Sequence, residues 1–380
     1  MLLIMVLGIL LSALVVPNIV YYIWMKNKAK KDWGLAIDPN FRPKVSLIIA
    51  TYNEAKVMDK KLKNVQELEY PVDKLEVIIV DSASTDGTLD VCRSFLKKNK
   101  MHYPVKLLSE EQRLGKSHAL NTALQHAKGE IIATSDADSF WESDALLKAV
   151  PFFADPSVGA VTGREVLMNL EKNVYTMSEG IYRGFYYTLR LGESKINSTL
   201  IFQGELALYR KSLLDKFEDK AGYSDDIGTV VKMVSKGYRC IFVSEAIFHD
   251  TAAYSFSGRL ELKSRRAQHL IAGIIQALKF KINRKLALSS AIVVFSFYMH
   301  VLSPLLFVVA AFVGAITFVL YFPVLWFLIL LALPLLLFCK SRSFIISYLT
   351  SNLALIIGLV RHLAGRKEAT WHKIEEMRIE

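Results

Sequence analysis

Three stretches of this chain contain no Asp, Glu, Lys or Arg: residues 1–24, 286–339 and 343–360. An apolar helix needs about 20 residues to cross a bilayer, and each run is near or above that length. The chain is 52% hydrophobic yet 22% charged, so its polar and apolar residues must be segregated along the sequence. A cleaved secretion signal would want a basic start and a clear small-residue cleavage site, which residues 1–24 lack. Residues 1–25 are therefore expected to be a retained transmembrane helix. The 286–339 block is long enough for two spans with a break near Tyr321 to Pro323, and 343–362 is a further candidate, which makes 286–362 a membrane region of two or three spans.

The net charge of +11 could suggest nucleic acid, but its placement argues against that. Lys26, Lys28, Lys30 and Lys31 follow the first run, while Arg259, Lys263, Arg265, Arg266, Lys279, Lys281, Arg284 and Lys285 precede the second. Basic residues beside spans mark the cytoplasmic side and an anionic lipid surface. The middle of the chain is thus expected in the cytoplasm of a multi-pass membrane protein, with membrane lipids as partners and no nucleic acid. A spanning 343–362 would put the charged 363–380 tail outside, against the positive-inside tendency; an interfacial one would keep it inside. Cys92, Cys240 and Cys339 follow no metal or disulfide pattern.

Between the apolar ends, short runs at 45–51, 76–80, 105–108 and 130–134 are almost continuously hydrophobic. Strands of a parallel sheet covered on both faces read this way. Stretches with helical spacing separate them, so an open α/β fold is expected, with its ligand site at the carboxyl ends of the strands. After Asp138 the pattern loosens into a helix near 143–154, a strand at 158–162, and helices around 176–193 and 226–237. The 259–285 segment sets Leu260, Leu262, Ala267, Leu270, Ile271, Ile274, Ile275 and Leu278 at roughly helical spacing against a basic face. Such a helix can lie in the membrane interface or pack as an ordinary helix.

The residues that follow strand ends carry the chemistry. Thr51, Tyr52, Asn53 and Glu54 follow the first strand, and Asp81 through Asp86 and Gly87 follow the second. Singly, these read as helix caps and turns. Together they form a rim suited to stacking and hydrogen-bonding a base and ribose. Gly115 and Lys116 precede a helix, where a cation and free N–H groups favour phosphate, although neither a P-loop nor a G-x-G-x-x-G fingerprint is present. Asp136 and Asp138 close the fourth strand. Residues two apart in an extended chain point the same way, so this pair can offer hard oxygen ligands to Mn²⁺ or Mg²⁺; the plain alternative is a helix cap and a solvated carboxylate.

The segments SLIIATYNE, VDSASTDGT, LGKSHALN and TSDADS, in this order, resemble the GT-A catalytic domain of family 2 glycosyltransferases, from about Val45 to His269. The flanking apolar runs are similar to the membrane-bound branch that includes cellulose, chitin and hyaluronan synthases. The resemblance implies a Rossmann-like nucleotide-sugar-binding domain over 43–258 between α-helical transmembrane segments. It also implies that Tyr52, Glu54 and Asp81 hold the nucleotide, and that Asp136 and Asp138 meet the metal and diphosphate. QGELALYRKSLL is similar to the segment that lines the acceptor pocket, which places Gln203, Gly204 and Glu205 near the sugar. In YSDDIGTVV, Asp226 takes the place of the general base, with Asp225 where the family has Glu; both could instead favour a helix N-terminus. His249 is either a third metal ligand or a packed neutral histidine.

One departure matters. Processive members carry Q-x-x-R-W before the membrane exit, whereas this chain reads RAQHL, with Arg266, His269 and Leu270 at the Gln, Arg and Trp positions. A cation remains to meet diphosphate, but the aromatic platform for a growing polymer is gone. The expectation is an inverting, metal-dependent transferase that uses a UDP- or GDP-linked sugar and a membrane-embedded acceptor, either a polyprenyl phosphate or a lipid-linked sugar. The alternative is a processive polysaccharide synthase. A membrane nucleotidyltransferase would instead release pyrophosphate, and a transporter would display ionisable residues in its spans, where only His300 occurs.

Overall fold

The computed structural model describes residues 1–219, 225–283, 288–321, 339–365 and 375–377. After helix α1 (Leu2–Ala29), the chain alternates β1 (Val45–Thr51), α2 (Ala55–Gln66), β2 (Leu75–Ser82), α3 (Thr88–Lys98), β3 (Val105–Glu110), α4 (Lys116–Leu124) and β4 (Ile131–Asp136). These are the expected βαβ units, with β2, β3 and β4 each running two residues past the carboxyl end of its apolar run. A short β5 (Phe140–Trp141) and α5 (Ala145–Ala149) follow, and α5 tightens into a 3₁₀ turn at Val150–Ala154 rather than running on as one helix. Then come β6 (Val158–Leu167), α6 (Val174–Ile196), β7 (Ala207–Arg210), α7 (Asp225–Ser235) and β8 (Arg239–Asp250).

The eight strands among the described residues form one sheet in the order β3-β2-β1-β4-β7-β6-β8-β5. β1, β2, β3 and β4 are mutually parallel, and β7 enters antiparallel between β4 and β6. Alternation within the buried strands sends Leu47 and Ile49 into a core under α2, α3 and α5, while Ile48, Ile78 and Val80 face a second core under α4, α7 and part of α8. Register then levels the strand ends: Thr51 pairs with Asp81, and Ala50 with Asp136. Both carboxylates therefore open on the same edge of the sheet.

Helix α8 (Phe256–Ile282) is packed on two sides. Ile274 and Ala277 belong to the core that contains α7, and Ile271 packs with Leu359 of α11 (Cys339–Leu363). Two faces of this helix are thus covered by its neighbours. At Gly358 a Cβ would lie 2.8 Å from the Ala267 Cβ, so the absence of a side chain lets α11 and α8 approach closely. Between them in sequence, α9 (Ser290–Phe297), a π turn (Tyr298–Leu302) and α10 (Ser303–Leu320) run as one helical stretch. Among the described residues, three helices are long and apolar enough to cross a membrane: Leu2–Ala29, Ser290–Leu320 and Arg342–Leu363. The first described stretch of the expected hairpin ends at Tyr321, and its second span lies outside the described residues.

Candidate functional site

Two facing loops at the ends of β1 and β2 are locked together by short-range bonds. The Thr51 hydroxyl donates to Asp81 Oδ1 (3.3 Å), and Asp81 Oδ2 accepts the Ser84 N–H (3.1 Å). Asn53 donates its N–H to Ser84 Oγ (2.9 Å) and accepts the Thr85 N–H on its side chain (2.8 Å). The Glu54 N–H reaches Thr88 Oγ1 (2.8 Å), and the Ala55 N–H reaches Asp86 Oδ2 (3.1 Å). Asn53 and Ala83, with φ of 54° and 55°, are the two non-glycine residues of positive φ among the described residues, and both lie in these loops. Such strain persists where surrounding structure fixes it, commonly at ligand sites. Above them, the Arg113 guanidinium lies 3.7 Å from the Tyr52 ring centre, leaving a flat cationic and aromatic pair at the rim.

Beside this rim opens a cavity of about 420 Å³. Its walls include Lys116, Asp136, Gln203, Gly204, Glu205, Asp225, Asp226, Arg266 and His269, so nine residues singled out in the sequence converge there. At its floor, Lys116 Nζ sits 2.5 Å from Asp136 Oδ1 and 3.9 Å from Asp225 Oδ2. A Cβ on Gly204 would come within 3.1 Å of that ammonium, so bare backbone forms this part of the wall. Burial works against the Lys116 charge, but Asp136, Asp225 and Glu205 outweigh it and raise its pKa. Burial likewise opposes ionised Asp136, and Lys116 overcomes it to hold that carboxyl low. Asp225 goes the other way: burial lifts it against Lys116, with Asp136 and Glu205 adding to the rise. Asp226 lies in the first turn of its helix and accepts the Ile227 N–H on its side chain at 2.6 Å.

The far wall is basic. Gln203 accepts from Arg190 (2.6 Å) and donates to Glu165 (2.5 Å), and Arg266 pairs with Glu205 at 2.9 Å. Glu179 meets three cations: Lys263 at 3.1 Å, Arg259 at 3.2 Å and Arg183 at 3.3 Å. Arg183 also pairs with Glu165. Arg183, Arg190, Arg259, Lys263, Arg265 and Arg266 thus share the cavity, and Ser351, Ala354 and Leu355 of α11 complete it beside a candidate membrane span. Sequence reading missed Glu165, Glu179, Arg183 and Arg190. The available signal was Glu179 and Arg183 at i and i+4 in one helix, which ordinarily marks a solvated pair.

Thr51, Tyr52, Asn53, Glu54 and Asp81 stand at the rim and do not line the cavity. His249 pairs in register with Phe140, and its Nε2 lies 3.3 Å from Glu142 Oε1. The next residue, Asp250, is buried; burial first, then the Asp138 and Glu205 charges, push its carboxyl up to about 8. No three His, Cys, Asp or Glu residues are gathered as a metal cage among the described residues. The fit is instead to a cation that takes one or two carboxylates from protein and its remaining oxygens from phosphate and water. Asp136 at the strand end, with Asp138 two residues on, offers that donor set.

The family model for Glycosyl transferase family 2 matches residues 46–217. The solved structure of the mannosyltransferase PcManGT from Pyrobaculum calidifontis, in complex with GDP-Man and Mn²⁺, is 34% identical, with a TM-score of 0.81 over 96% of this chain and 100% of that one. The beta-monoglucosyldiacylglycerol synthase of Nostoc sp. is 40% identical over 139 residues, 36% of this chain and 29% of its own. The poly-beta-1,6-N-acetyl-D-glucosamine synthase of Staphylococcus epidermidis is 26% identical over 253 residues, 66% and 60% of the two chains. The chain therefore spans less than two thirds of either curated relative. With the family model and a structural relative matched along all of its own chain in agreement, this chain is a member of glycosyltransferase family 2.

Proposed function

We propose that the protein is a multi-pass membrane enzyme with a cytoplasmic catalytic domain that transfers a hexose, with inversion, from a nucleoside-diphosphate sugar to a membrane-embedded acceptor. The observation that carries this reading is the single cavity that joins the Lys116, Asp136, Asp225 and Asp226 cluster to a candidate membrane helix through a basic wall. Thr51, Tyr52, Asn53, Glu54 and Asp81 would hold base and ribose, and Lys116 the diphosphate. Similarity to the GDP-Man-bound relative along almost the whole chain favours a GDP-linked mannose donor over a UDP-linked sugar. Mn²⁺ or Mg²⁺ held by Asp136 and Asp138, with His249 as a further candidate ligand, would supply Lewis-acid neutralisation of the departing diphosphate.

The acceptor oxygen bonds to the anomeric carbon as the bond to the diphosphate oxygen breaks on the opposite face. If the acceptor is a hydroxyl, Asp226 takes its proton, with Asp225 beside it. A polyprenyl phosphate arrives already ionised and needs no base. Gln203, Gly204, Glu205, Arg266 and His269 line the acceptor side, and the surplus of cations there favours a phosphate-bearing lipid over neutral diacylglycerol. Similarity to the N-acetylglucosamine polymer synthase supports a second reading, processive extension, against which stands Leu270 in place of an aromatic platform.

Detergent-purified protein with Mn²⁺, GDP-mannose or UDP-sugars, and polyprenyl phosphate tests this directly. Acceptor-dependent sugar-lipid and released nucleoside diphosphate are expected, and Asp138→Ala is expected to cut turnover by at least about a hundredfold. Intact donors in every condition would overturn the reading. A ladder of long glycans would move it to the polymer synthase.

A further inference from the structure

Helix α2 begins in the nucleotide rim and then passes beneath the loop that carries Asp136 and Asp138. Lys61, on its inward face, is only 1% exposed. Its ammonium donates to Ser135 Oγ at 2.6 Å and to the Ser139 carbonyl at 2.6 Å. Those are the residue before Asp136 and the residue after Asp138, so one side chain brackets the whole acidic loop. Nearly one turn along the same helix, Asn64 donates to the Trp141 carbonyl (2.7 Å) and accepts the Trp141 N–H (2.9 Å). The Trp141 indole N–H then donates to the Glu205 carbonyl at 2.9 Å, and Ser139 Oγ reaches the same oxygen at 3.3 Å. Glu205 in turn holds Arg266.

A neutral donor could make the same two bonds. Burying an ammonium is costly unless nearby negative charge compensates it. The compensation here comes from the loop itself: burial drives the Lys61 pKa down to about 7, and the Asp136 and Asp138 charges work against that fall. The carboxylates are supported from below by charge and by hydrogen bonds at once.

We propose that Lys61 and Asn64 are positioning residues for the acidic loop, presenting Asp136 and Asp138 to a divalent cation and tying that loop to Glu205 on the acceptor side. This rests on the reading above in which those two aspartates meet a metal–diphosphate. It concerns residues of α2 that do not line the cavity.

The test uses the full chain in detergent micelles, with Mn²⁺ titrated by electron paramagnetic resonance in the presence of GDP. Lys61→Met and Asn64→Ala are compared with the native protein. Removing groups that orient metal ligands weakens metal affinity by about ten- to a hundredfold, so the Mn²⁺ dissociation constant is expected to rise in that range for Lys61→Met and by about tenfold for Asn64→Ala. Metal-free binding of GDP should stay unchanged in both, because the rim loops are held by their own bonds; a merely structural role would shift it too. If Lys61→Met fails to fold, Asn64→Ala, which keeps every charge, decides. A folded variant that binds Mn²⁺ with GDP as tightly as the native protein, or more tightly, overturns the proposal and leaves the proposed function intact. Native protein that takes up no Mn²⁺ with GDP sinks the metal reading, and this inference with it.

Discussion

The rim loops at the ends of β1 and β2 and the basic wall of the cavity are built on opposite principles. At the rim, Asp81 and Asp86 are satisfied by backbone N–H groups a few residues away or one strand over, in loops whose turn residues can be read singly. At the wall, Glu179 on α6 gathers cations from its own helix and from α8, some eighty residues on. Local hydrogen-bond chemistry makes a rigid shelf without surplus charge. Long-range ion pairing with too few carboxylates makes a surface that is still short of negative charge. A planar nucleoside suits the first, and an anionic acceptor suits the second.

The comparison breaks most readily at Glu179. Glu179→Gln leaves Lys263, Arg259 and Arg183 with no shared counter-charge in a buried site, and breaking a buried pair from one side costs about 3–5 kcal/mol. At the rim, Asp86→Ala removes caps on Ala55 and Thr88 and should cost about 1 kcal/mol. Denaturant unfolding of both variants in one detergent checks the order. Equal losses would mean that the wall is no more charge-strained than the rim.

An effect well below that of Glu179→Gln is expected at Gly204. In Gly204→Ala the new methyl would crowd the Lys116 ammonium from 3.1 Å and Asp225 Oδ2 from 3.5 Å. A lysine end is flexible and can yield, so stability should fall by only about 1 kcal/mol. The ammonium would leave its place on Asp136, and sugar-transfer turnover should drop by about tenfold, since an ångström of misplacement can cost up to about a hundredfold. Unchanged turnover would show that Lys116 is not held for the diphosphate.

The same contrast explains what the sequence disclosed. β1 to β4 were legible because each carries a short apolar run, almost wholly buried in β1, β2 and β4 and only half-buried in the edge strand β3, with helices between them, and their ends then delivered Thr51, Asp81 and Asp136 to one edge through register alone. β7 was not legible. Its four residues, Ala207–Arg210, enter antiparallel between β4 and β6, and nothing local in ALYR specifies that pairing. β8 was likewise missed, since RCIFVSEAIFHD breaks its apolar run at Ser244 and Glu245. Lys116, Asp136, Gly204, Asp225 and Arg266 carried motif signals and converge on one cavity. Glu179 and Lys61 carried none, because a buried charge is recognisable only from partners that tertiary packing supplies.

Lys263 offers the finest test of the wall, through pH. It faces Glu179 at 3.1 Å, the Tyr182 ring with its ammonium 3.5 Å from the centre, and Ser351 Oγ of α11 at 3.4 Å, with Arg259 and Arg183 adding repulsion. Burial is the largest influence and outweighs Glu179, lowering the pKa from 10.5 to about 8. Between those values the unfolded chain binds a proton that the folded protein does not, so this residue makes stability rise with pH across the window; below about 8 its full cost is present. Acceptor binding should move the other way, because above about pH 8 the wall loses one cation and the KM for a polyprenyl phosphate should rise by about tenfold, the size expected of one partly screened charge. Lys263→Met should flatten both dependences, so the difference between native and variant isolates this residue. Native stability that stays level relative to the variant between pH 8 and 10, and falls only above the ordinary value of 10.5, would show that Glu179 dominates over burial, and that the wall is a balanced ion-pair network with no charge to spare for an acceptor.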